Sequence, residues 1–495
     1  MVIRMNEKSL CKLIAKIGEQ LNKWDVPSAS VSIVENKKVL FSGGIGLRDN
    51  ASLPADADTL YQIASCTKAF TGTAAAVLAT EGKLDFDTPI SQYMPEFRLS
   101  DDYATHHLTV RDLLSHRTGL PRHELAWYGT GFSRELLMKN LKYLPFNAPI
   151  RYKFQYSNFN YLIIGSLIEK ITGMQFEHYL MEHLLRPIGM EKTEVFTARM
   201  LSNQNHALPF DHDEPFTTTG IKQIPFYFSP GIAADEGDPC GAAGCINSCA
   251  SDMVKWLEFN LNRGKVGEKE LVREDLMDLI ITPHIDMGST GIYAPERSVQ
   301  AYGLGWMIYT YRGHKMVEHG GNLNGFTSST AFVPELGLGV FVSVNMNVSL
   351  LAEAIVHETI DAVLGQSDGD WNSRLMKYNK EIFEESKELF ANFGGSPIPG
   401  TTPSHPLTDY AGEYNAPGYR RFIISYENGS LTADFNTFIV SLRHHHYDSF
   451  ATIDVLGELP AGVILSFGTS PDGKINSLSV LLGGESNLKP IVFTK

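Results

Sequence analysis

The chain has 495 residues, more than one hydrophobic core usually organises, so two domains or one large domain with an appendage are expected. Hydrophobic residues at 43% and charged residues at 20% are near globular averages, which argues against disordered, collagen-like and membrane-embedded chains. A formal net charge of −14 repels polyanions and no Lys/Arg-rich stripe offsets it, so nucleic-acid binding is not expected.

The amino-terminal segment, residues 1–21, has the pattern of an amphipathic helix. Charged residues interrupt its apolar runs, which is not typical of a signal peptide. Its apolar side chains recur at helical spacing, at Leu10, Ile14, Ile17 and Leu21. No later stretch reaches the roughly 18 apolar residues of a membrane-spanning helix. The sequence therefore predicts a cytoplasmic protein with no membrane span.

Strand patterns lie at both ends of a helical middle. Alternating residues on either side of Asn36-Lys37 predict a hairpin, and an alanine-rich helix follows and stops at Gly82. The pattern is mostly helical from about Thr109 to Met200, and segment 202–245 has the Pro/Gly/His content of long loops. Strand patterns return between residues 301 and 347, so the terminal segments must pair across the chain. This order predicts a mixed α/β (α+β) fold with an antiparallel sheet flanked by helices.

The chain divides into three parts. A charged helix and a Pro/Gly-rich stretch mark residues 369–405 as a linker after a first domain over residues 1–368. Short alternating runs over residues 406–495, separated by turn signals, predict a small antiparallel β-barrel.

Ser65-Cys66-Thr67-Lys68 stands where a loop enters the alanine-rich helix. Residues i and i+3 share a helix face, so the Ser65 hydroxyl and the Lys68 amine can meet in one cleft. Desolvation lowers the pKa of a lysine, and the neutral amine can then take the serine proton. The spacing alone is weak evidence, because Ser9-Leu10-Cys11-Lys12 has it in an ordinary surface helix.

Tyr156-Ser157-Asn158 lies in a polar loop that leads into a strongly apolar helix. A tyrosine hydroxyl there can relay a proton if a cation stabilises its phenolate, and the Asn158 amide can hold a lysine or a substrate carbonyl. The alternative is a turn with an asparagine cap, which is the interpretation we give to Tyr426-Glu427-Asn428.

His319-Gly320-Gly321-Asn322 follows one strand pattern and precedes another. Paired glycines let a ligand backbone approach a strand closely, and an exposed edge can bind an acyl group through main-chain hydrogen bonds. The alternative is a hairpin bulge with a solvated histidine.

In this order, the three motifs resemble those of the class C β-lactamase and D,D-peptidase superfamily. The stretches LLSHRTGLPRH at 113–123 and CGAAGCINSCASDM at 240–253 are also similar to that family. The resemblance covers about residues 8–365 and implies an active site between an antiparallel sheet and a helical region. The carboxy-terminal part resembles the lipocalin-like appendage of some members.

The resemblance implies a role for each proton-transfer residue. Ser65 would form the acyl-enzyme, Lys68 and Tyr156 would share the general base and acid work, and Asn158 would orient Lys68 and the substrate. His319 stands where true β-lactamases usually carry lysine. This difference favours the peptidase and esterase branches over antibiotic hydrolysis.

The resemblance also implies a binding edge for the substrate. The backbone N–H groups of Ser65 and Asn322 would form the oxyanion hole, with Gly320 and Gly321 beside the substrate. Each such donor typically contributes a few kcal/mol of transition-state stabilisation.

No metal or other cofactor is expected. Five cysteines are an odd number that suits a reducing compartment, and the cluster of Cys240, Cys245 and Cys249 lacks a CxxC pair. His178 and His183 are off one helix face, and the tract at residues 444–446 alternates across a strand.

The expected partner is therefore a small-molecule or peptide substrate, and homo-oligomerisation is left open. The expected activity is that of a serine hydrolase that cleaves amide or ester bonds, in a D-amino-acid-containing peptide or a small ester. Two alternatives stay open: an acyltransferase or peptide macrocyclase that uses an amine acceptor, and a penicillin-binding or sensing protein without turnover.

Overall fold

The computed structural model describes residues 5–213, 220–226, 237–289, 291–366, 369–391, 395–453, 462–481 and 489–495. Within these ranges, no helix combines the length and the apolar character that a membrane span needs. A π-helical turn over Met181–Leu185 continues α8. The α-helices are α1 (Glu7–Lys23), α2 (Thr67–Thr80), α3 (Ile90–Tyr93), α4 (Asp102–His107), α5 (Val110–Leu114), α6 (Arg134–Asn140), α7 (Asn158–Thr172), α8 (Phe176–Leu180), α9 (Thr197–Ser202), α10 (Gly241–Gly244), α11 (Ala250–Leu261), α12 (Glu274–Ile280), α13 (Leu351–Leu364) and α14 (Trp371–Ala391).

The strands form two large antiparallel sheets and several short pairs. They are β1 (Ser28–Glu35), β2 (Lys38–Gly46), β3 (Tyr61–Gln62), β4 (Phe210–His212), β5 (Ile221–Gln223), β6 (Asn247–Ser248), β7 (Lys265–Val266), β8 (Lys269–Glu270), β9 (Ile285–Asp286), β10 (Arg297–Tyr302), β11 (Met307–Tyr311), β12 (His314–Leu323), β13 (Phe326–Val333), β14 (Leu338–Val344), β15 (Gly412–Tyr414), β16 (Phe422–Glu427), β17 (Ser430–Phe435), β18 (Phe438–His446), β19 (Ser449–Thr452), β20 (Ile464–Thr469), β21 (Ile475–Val480) and β22 (Ile491–Thr494).

The first sheet has the strand order β2-β1-β14-β13-β12-β11-β10-β9. Its centre joins the two ends of the first 350 residues, since Val31 of β1 faces Val342 of β14, and this confirms the expected pairing across the chain. The β1–β2 turn falls at Asn36 and Lys37, both with positive φ, as the tight hairpin turn that matches strand twist requires.

Each face of this sheet packs against helices. On one face, α1 and α13 form a core with the β1 and β14 side chains, and α14 packs against α13. On the other face, α11 lies against β1 and β14, and α2 packs against α7 and α10 in the helical region. Nearly every residue of α2 is buried, and its alanines allow these close approaches because they add little volume. The result positions the first turn of α2 beside β12.

The second sheet follows chain order from β15 to β22. A bridge between Asn415 and Thr494 brings its last strand to its first, so the sheet nearly closes on a core of stacked and edge-on aromatic rings that includes Phe422, Phe435 and Phe493. The mixed architecture and the small antiparallel barrel are thus confirmed.

The remaining expectations have different outcomes. The helical middle is broken into short helices, with α7 as its longest. Segment 202–245 lies partly outside the described residues, and its described portion includes β4, β5 and α10. The division into residues 1–368, 369–405 and 406–495 stays a prediction.

Candidate active site

Ser65 lies in a single 3-10 turn, Ala64–Cys66, that runs directly into α2. Ala64 has a φ of 48°, in the left-handed region that a residue with a Cβ seldom adopts. The turn presents the Ser65 side chain to the mouth of a cleft of about 1100 Å³ between the sheet and the helical region. The sequence predicts that a loop leads directly into a helix here. In the structure, a strained 3-10 turn lies between the loop and the helix.

Lys68 is fully buried in the first turn of α2. Its amine lies 3.0 Å from the Ser65 hydroxyl oxygen and donates to the carbonyl of Ala243 at 2.9 Å. Burial lowers the pKa of Lys68 to about 7, and the positive charge of Arg122 acts in the same direction. At neutral pH a substantial fraction of this amine is therefore uncharged and able to accept a proton.

Tyr156 completes this cluster from the loop before α7. Its hydroxyl is hydrogen-bonded to the Ser65 side chain, and the Lys68 nitrogen is 4.8 Å from its ring centroid. Desolvation raises the pKa of Tyr156 above its ordinary value, and the hydrogen bond from Ser65 only partly offsets this. Tyr156 is therefore a neutral phenol at physiological pH.

The imidazole of His116 packs against the Tyr156 ring. The two ring centroids are 4.3 Å apart, and His116 is fully buried. Its Nδ1 accepts from the Ser157 backbone N–H and from the Asn160 amide, each at 3.2 Å. Burial lowers the pKa of His116 well below its usual range, so the ring is neutral.

Asn158 is oriented differently from the expectation. Its amide donates to Glu124 at 3.3 Å, and Glu124 accepts from Arg122 at 2.8 Å. The amine of Lys68 is instead held by Ser65 and Ala243. The structure therefore places Asn158 near the cluster, in contact with a charged pair at its rim.

Strand β12 has an unpaired edge beside Ser65. β12 pairs with β11 only as far as Glu318, whereas it pairs with β13 as far as Leu323. Among the described residues, 319–323 therefore have a strand partner on the β13 side and none on the β11 side. A Cβ at Gly321 would lie 2.9 Å from the Ser65 backbone nitrogen and 2.3 Å from the carbonyl oxygen of Ile63. Only glycine allows the strand to approach the serine turn this closely.

His319 faces the same cleft and is almost fully buried. Its Nδ1 is 2.6 Å from the Gly320 carbonyl oxygen, and its Nε2 is 2.8 Å from the Tyr302 hydroxyl. Because a carbonyl oxygen only accepts, Nδ1 carries the proton and Nε2 accepts from Tyr302. Burial lowers the pKa of His319 to about 3, with a further contribution from Lys68. His319 is therefore a neutral group, in contrast to a lysine at this position.

Asn322 anchors the far end of the edge. Its side-chain oxygen accepts from the Thr327 hydroxyl at 3.0 Å and from the Val348 backbone N–H at 2.8 Å, and its amide donates to Asn347 at 3.2 Å. Gly320, Gly321 and Asn322 all line the cleft that contains Ser65. The structure thus brings the three sequence motifs to one place.

A second polar cluster surrounds Glu318 of β12, the residue before His319, and also lines the cleft. Glu318, Glu353 and His357 are close enough to hold a metal ion. However, one nitrogen of Arg297 contacts all three, at 2.9, 2.8 and 2.8 Å. The guanidinium therefore occupies the position among these groups at which a metal ion would bind.

The cysteines of segment 240–249 are packed thiols. Cys240, Cys245 and Cys249 are buried, and burial raises the pKa of each thiol, to about 11 for Cys249. Cys66 is also buried and donates to the His319 carbonyl at 3.0 Å.

The sequence alone does not predict a role for His116 or Tyr302. His116 lies in a stretch that only resembles the family, and Tyr302 lies in a strand pattern. A polar residue inside an apolar pattern is the signal that the sequence offers for each, but the partners of both residues come from distant segments.

Comparison with known proteins agrees with this geometry. The Beta-lactamase family profile matches residues 13–363, and a domain of unknown function (DUF3471) matches residues 396–495. A curated relative, unguisins hydrolase ungD' of Aspergillus campestris, is 28% identical, and the alignment covers 94% of this chain and 88% of the relative.

Two solved structures share the fold. The octameric penicillin-binding protein homologue from Pyrococcus abyssi has a TM-score of 0.63 at 21% identity and covers 98% of this chain and 100% of its own. The D-amino acid amidase of Ochrobactrum anthropi SV3 has a TM-score of 0.57 at 21% identity and covers 72% of this chain and 98% of its own. The family profile covers most of the chain, so the chain belongs to the beta-lactamase family and is a serine hydrolase of that family.

Proposed function

We propose that the protein forms an acyl-enzyme on Ser65 and cleaves amide or ester bonds, in a D-amino-acid-containing peptide or a small ester. The observation that carries this proposal is the 3.0 Å contact between the Ser65 hydroxyl and the Lys68 amine, whose pKa is lowered to about 7 by burial. A nucleophile in direct contact with a neutral base is the arrangement that acyl transfer requires.

In acylation, the uncharged Lys68 amine takes the Ser65 proton while the serine oxygen bonds to the substrate carbonyl carbon. The carbonyl oxygen becomes an oxyanion, which the backbone N–H groups of Ser65 and Asn322 stabilise. Collapse breaks the bond to the amine or alcohol leaving group. The proton then passes from Lys68 to that leaving group, and the Tyr156 hydroxyl relays it, because Tyr156 lies beside both Lys68 and Ser65.

Deacylation repeats these steps with water. A water molecule loses a proton to Lys68, directly or by relay through the Tyr156 hydroxyl, and attacks the acyl carbon. Lys68 then returns the proton to Ser65 as the acid product leaves. Because the pKa of Tyr156 is raised, we assign the base role to Lys68 and keep Tyr156 as a neutral relay.

Two observations support the proposed substrate class. Among the described residues, the edge of β12 at residues 319–323 has no strand partner on one side, so it can hydrogen-bond an extended peptide main chain. The neutral His319 supplies no cation beside Ser65 for a substrate carboxylate, in contrast to a lysine at this position. The relative named unguisins hydrolase supports hydrolysis, and the structural neighbour named D-amino acid amidase, which is complexed with D-phenylalanine, supports an amide bond of a D-amino acid.

The first experiment compares wild type with Ser65→Ala on p-nitrophenyl acetate and, separately, on a penicillin. Colour release and intact mass are followed together. Turnover or a mass increase that requires Ser65 supports the acyl-enzyme. Equal behaviour of the two proteins with no adduct from either probe would overturn it. Added glycinamide then tests the acceptor, since an acyltransferase would divert product to the amide and a hydrolase would release acid.

Assembly and compartment belong to the same proposal. We propose a homo-oligomer, supported by the octameric homologue, and a reducing compartment, supported by four buried free cysteines. Light scattering of the purified chain tests the first, and a monomer at micromolar concentration would contradict it.

A further inference from the structure

The carboxy-terminal barrel is fastened to the loop beside the catalytic cleft. The turn between β17 and β18 carries Asn436, a buried residue with a φ of 58°. Its amide donates to the main-chain carbonyls of Leu125 and Tyr128, at 3.0 and 2.9 Å. A buried amide that uses both N–H groups on one loop fixes the position of that loop.

Two further bonds join the barrel to this loop, residues 123–130. The Tyr419 hydroxyl donates to His123 at 3.0 Å, and Arg420 donates to the Thr130 carbonyl at 3.2 Å. Gly129 lies so close to the barrel that a Cβ there would be 2.6 Å from the Thr437 hydroxyl oxygen. The barrel therefore docks through specific contacts on both sides of Tyr128.

Phe438, the first residue of β18, reaches the cleft. Its ring lies parallel to that of Tyr128, with centroids 6.1 Å apart and planes inclined by 2°. Both rings line the cavity that contains Ser65, and Phe438 remains partly exposed there. The Tyr128 hydroxyl donates to Asn324, just beyond the end of β12, at 3.2 Å. These two rings form an aromatic wall at the far end of the binding edge.

The position of the aromatic wall relative to Ser65 determines which part of a bound substrate would contact it. The leaving group must receive its proton from Lys68 through Tyr156, and the Tyr156 ring centroid is 6.4 Å from that of His319, so we expect the leaving group toward the His319 end of β12. The acyl group extends the opposite way from the carbonyl carbon, toward Asn322 and Asn324. An aromatic or other apolar group on the acyl side would then pack on Phe438 and Tyr128.

We infer that the carboxy-terminal barrel builds an acyl-group subsite, in which Phe438 with Tyr128 selects substrates that carry an aromatic or bulky apolar acyl side chain. This inference rests on the proposed acyl-enzyme function. It gives the domain of unknown function at residues 396–495 a role in specificity, and it makes Phe438 a specificity-determining residue supplied from outside the hydrolase fold.

The test compares two esters with the same leaving group, p-nitrophenyl phenylacetate and p-nitrophenyl acetate, on the full chain. Phe438→Ala should lower the ratio of their kcat/KM values about tenfold, the size expected for losing one aromatic contact with its buried area. Asn436→Ala, which releases the docked turn, should lower the same ratio. The matched control is Ile439→Ala, since Ile439 is the next residue of β18 and is 74% exposed. Its ratio should equal that of wild type.

The measured ratios separate failure of the subsite from failure of the proposed function. A ratio in Phe438→Ala within twofold of wild type, or an equal fall in Ile439→Ala, would overturn the subsite. Equal rates for wild type and Ser65→Ala on both esters would overturn the proposed function instead. In that case, calorimetric binding of phenylacetamide to Ser65→Ala with and without Phe438→Ala still measures the subsite. An affinity that does not change would reject it.

Discussion

The amine of Lys68 lies 2.9 Å from the main-chain carbonyl oxygen of Ala243, which is 175 residues further along the chain. A carbonyl satisfies the amine without adding a full negative charge, so desolvation dominates and the pKa falls to about 7. A carboxylate at the same position would hold the pKa high and keep the amine protonated. A backbone carbonyl of helix α10 therefore helps to set the environment of the Lys68 amine.

The first prediction concerns pH. The value of kcat/KM for p-nitrophenyl acetate should rise with pH through about 7 and then level, because only the uncharged Lys68 amine accepts the Ser65 proton. His319, with a pKa of about 3, should not contribute to this rise, which we call the acid limb of the profile. Initial rates between pH 5 and 9 provide the measurement.

The control for this limb is Lys68→Arg, which retains a cation that cannot deprotonate. We expect it to lower kcat/KM by about 10²- to 10⁴-fold at pH 8, the usual contribution of a general base. A wild-type profile that is flat from pH 5 to 9 would show that another group activates Ser65.

The second prediction places a positive charge at position 319. His319→Lys should move the acid limb of the profile to lower pH by about one unit, because a nearby like charge disfavours protonated Lys68. His319→Gln, which adds no charge, should leave the midpoint near the wild-type value. The comparison is made on midpoints, so a general loss of activity in either variant does not affect it. Equal midpoints in the two variants would contradict the electrostatic argument.

The third prediction concerns the thiols. Iodoacetamide at pH 8 should modify native protein once, at Cys11, which is exposed, whereas Cys66, Cys240, Cys245 and Cys249 are buried with raised thiol pKa values. In denaturant, all five should react. Intact mass counts the adducts, and Cys11→Ser should give none in the native state. Rapid modification of a second thiol would show that the cluster is accessible.

The sequence predicts the site as far as local spacing carries information. Ser65 and Lys68 meet because residues three apart on a helix share a face, and the strand at residues 319–322 is marked by its glycines. Tyr156 is predicted to lie at the site because its polar loop leads directly into a strongly apolar helix. The mixed fold and the barrel follow from the alternation of apolar residues, which burial on one face requires.

The remaining features depend on contacts between distant segments. Asn158 points to Glu124 because Arg122 and Glu124 offer a charged pair at the rim, and no spacing rule encodes that choice. The bond from Asn436 to Leu125 spans 311 residues and joins two folds with separate sequence patterns. Side-chain packing across such distances is set by tertiary structure, which a single sequence does not display.

The last prediction concerns the approach of β12 to the serine turn. Gly321→Ala would place a methyl group 2.3 Å from the Ile63 carbonyl oxygen and 2.9 Å from the Ser65 nitrogen, both rigid backbone atoms. Either the strand or the turn must move, and a displacement of about 1 Å at a reacting centre can cost about 10²-fold in rate. We expect a loss of that size in kcat for p-nitrophenyl acetate, together with a lower Tm.

Gly320→Ala is the matched comparison for stability, because its Cβ would have Ser328 oxygen as its nearest neighbour at 3.7 Å, an ordinary contact. Its Tm should fall much less than that of Gly321→Ala in the same thermal scan. Equal Tm values would mean that β12 can retreat from Ser65 without strain. The close contact at Gly321 would then be incidental, and the fixed distance between the binding edge and the nucleophile would need another cause.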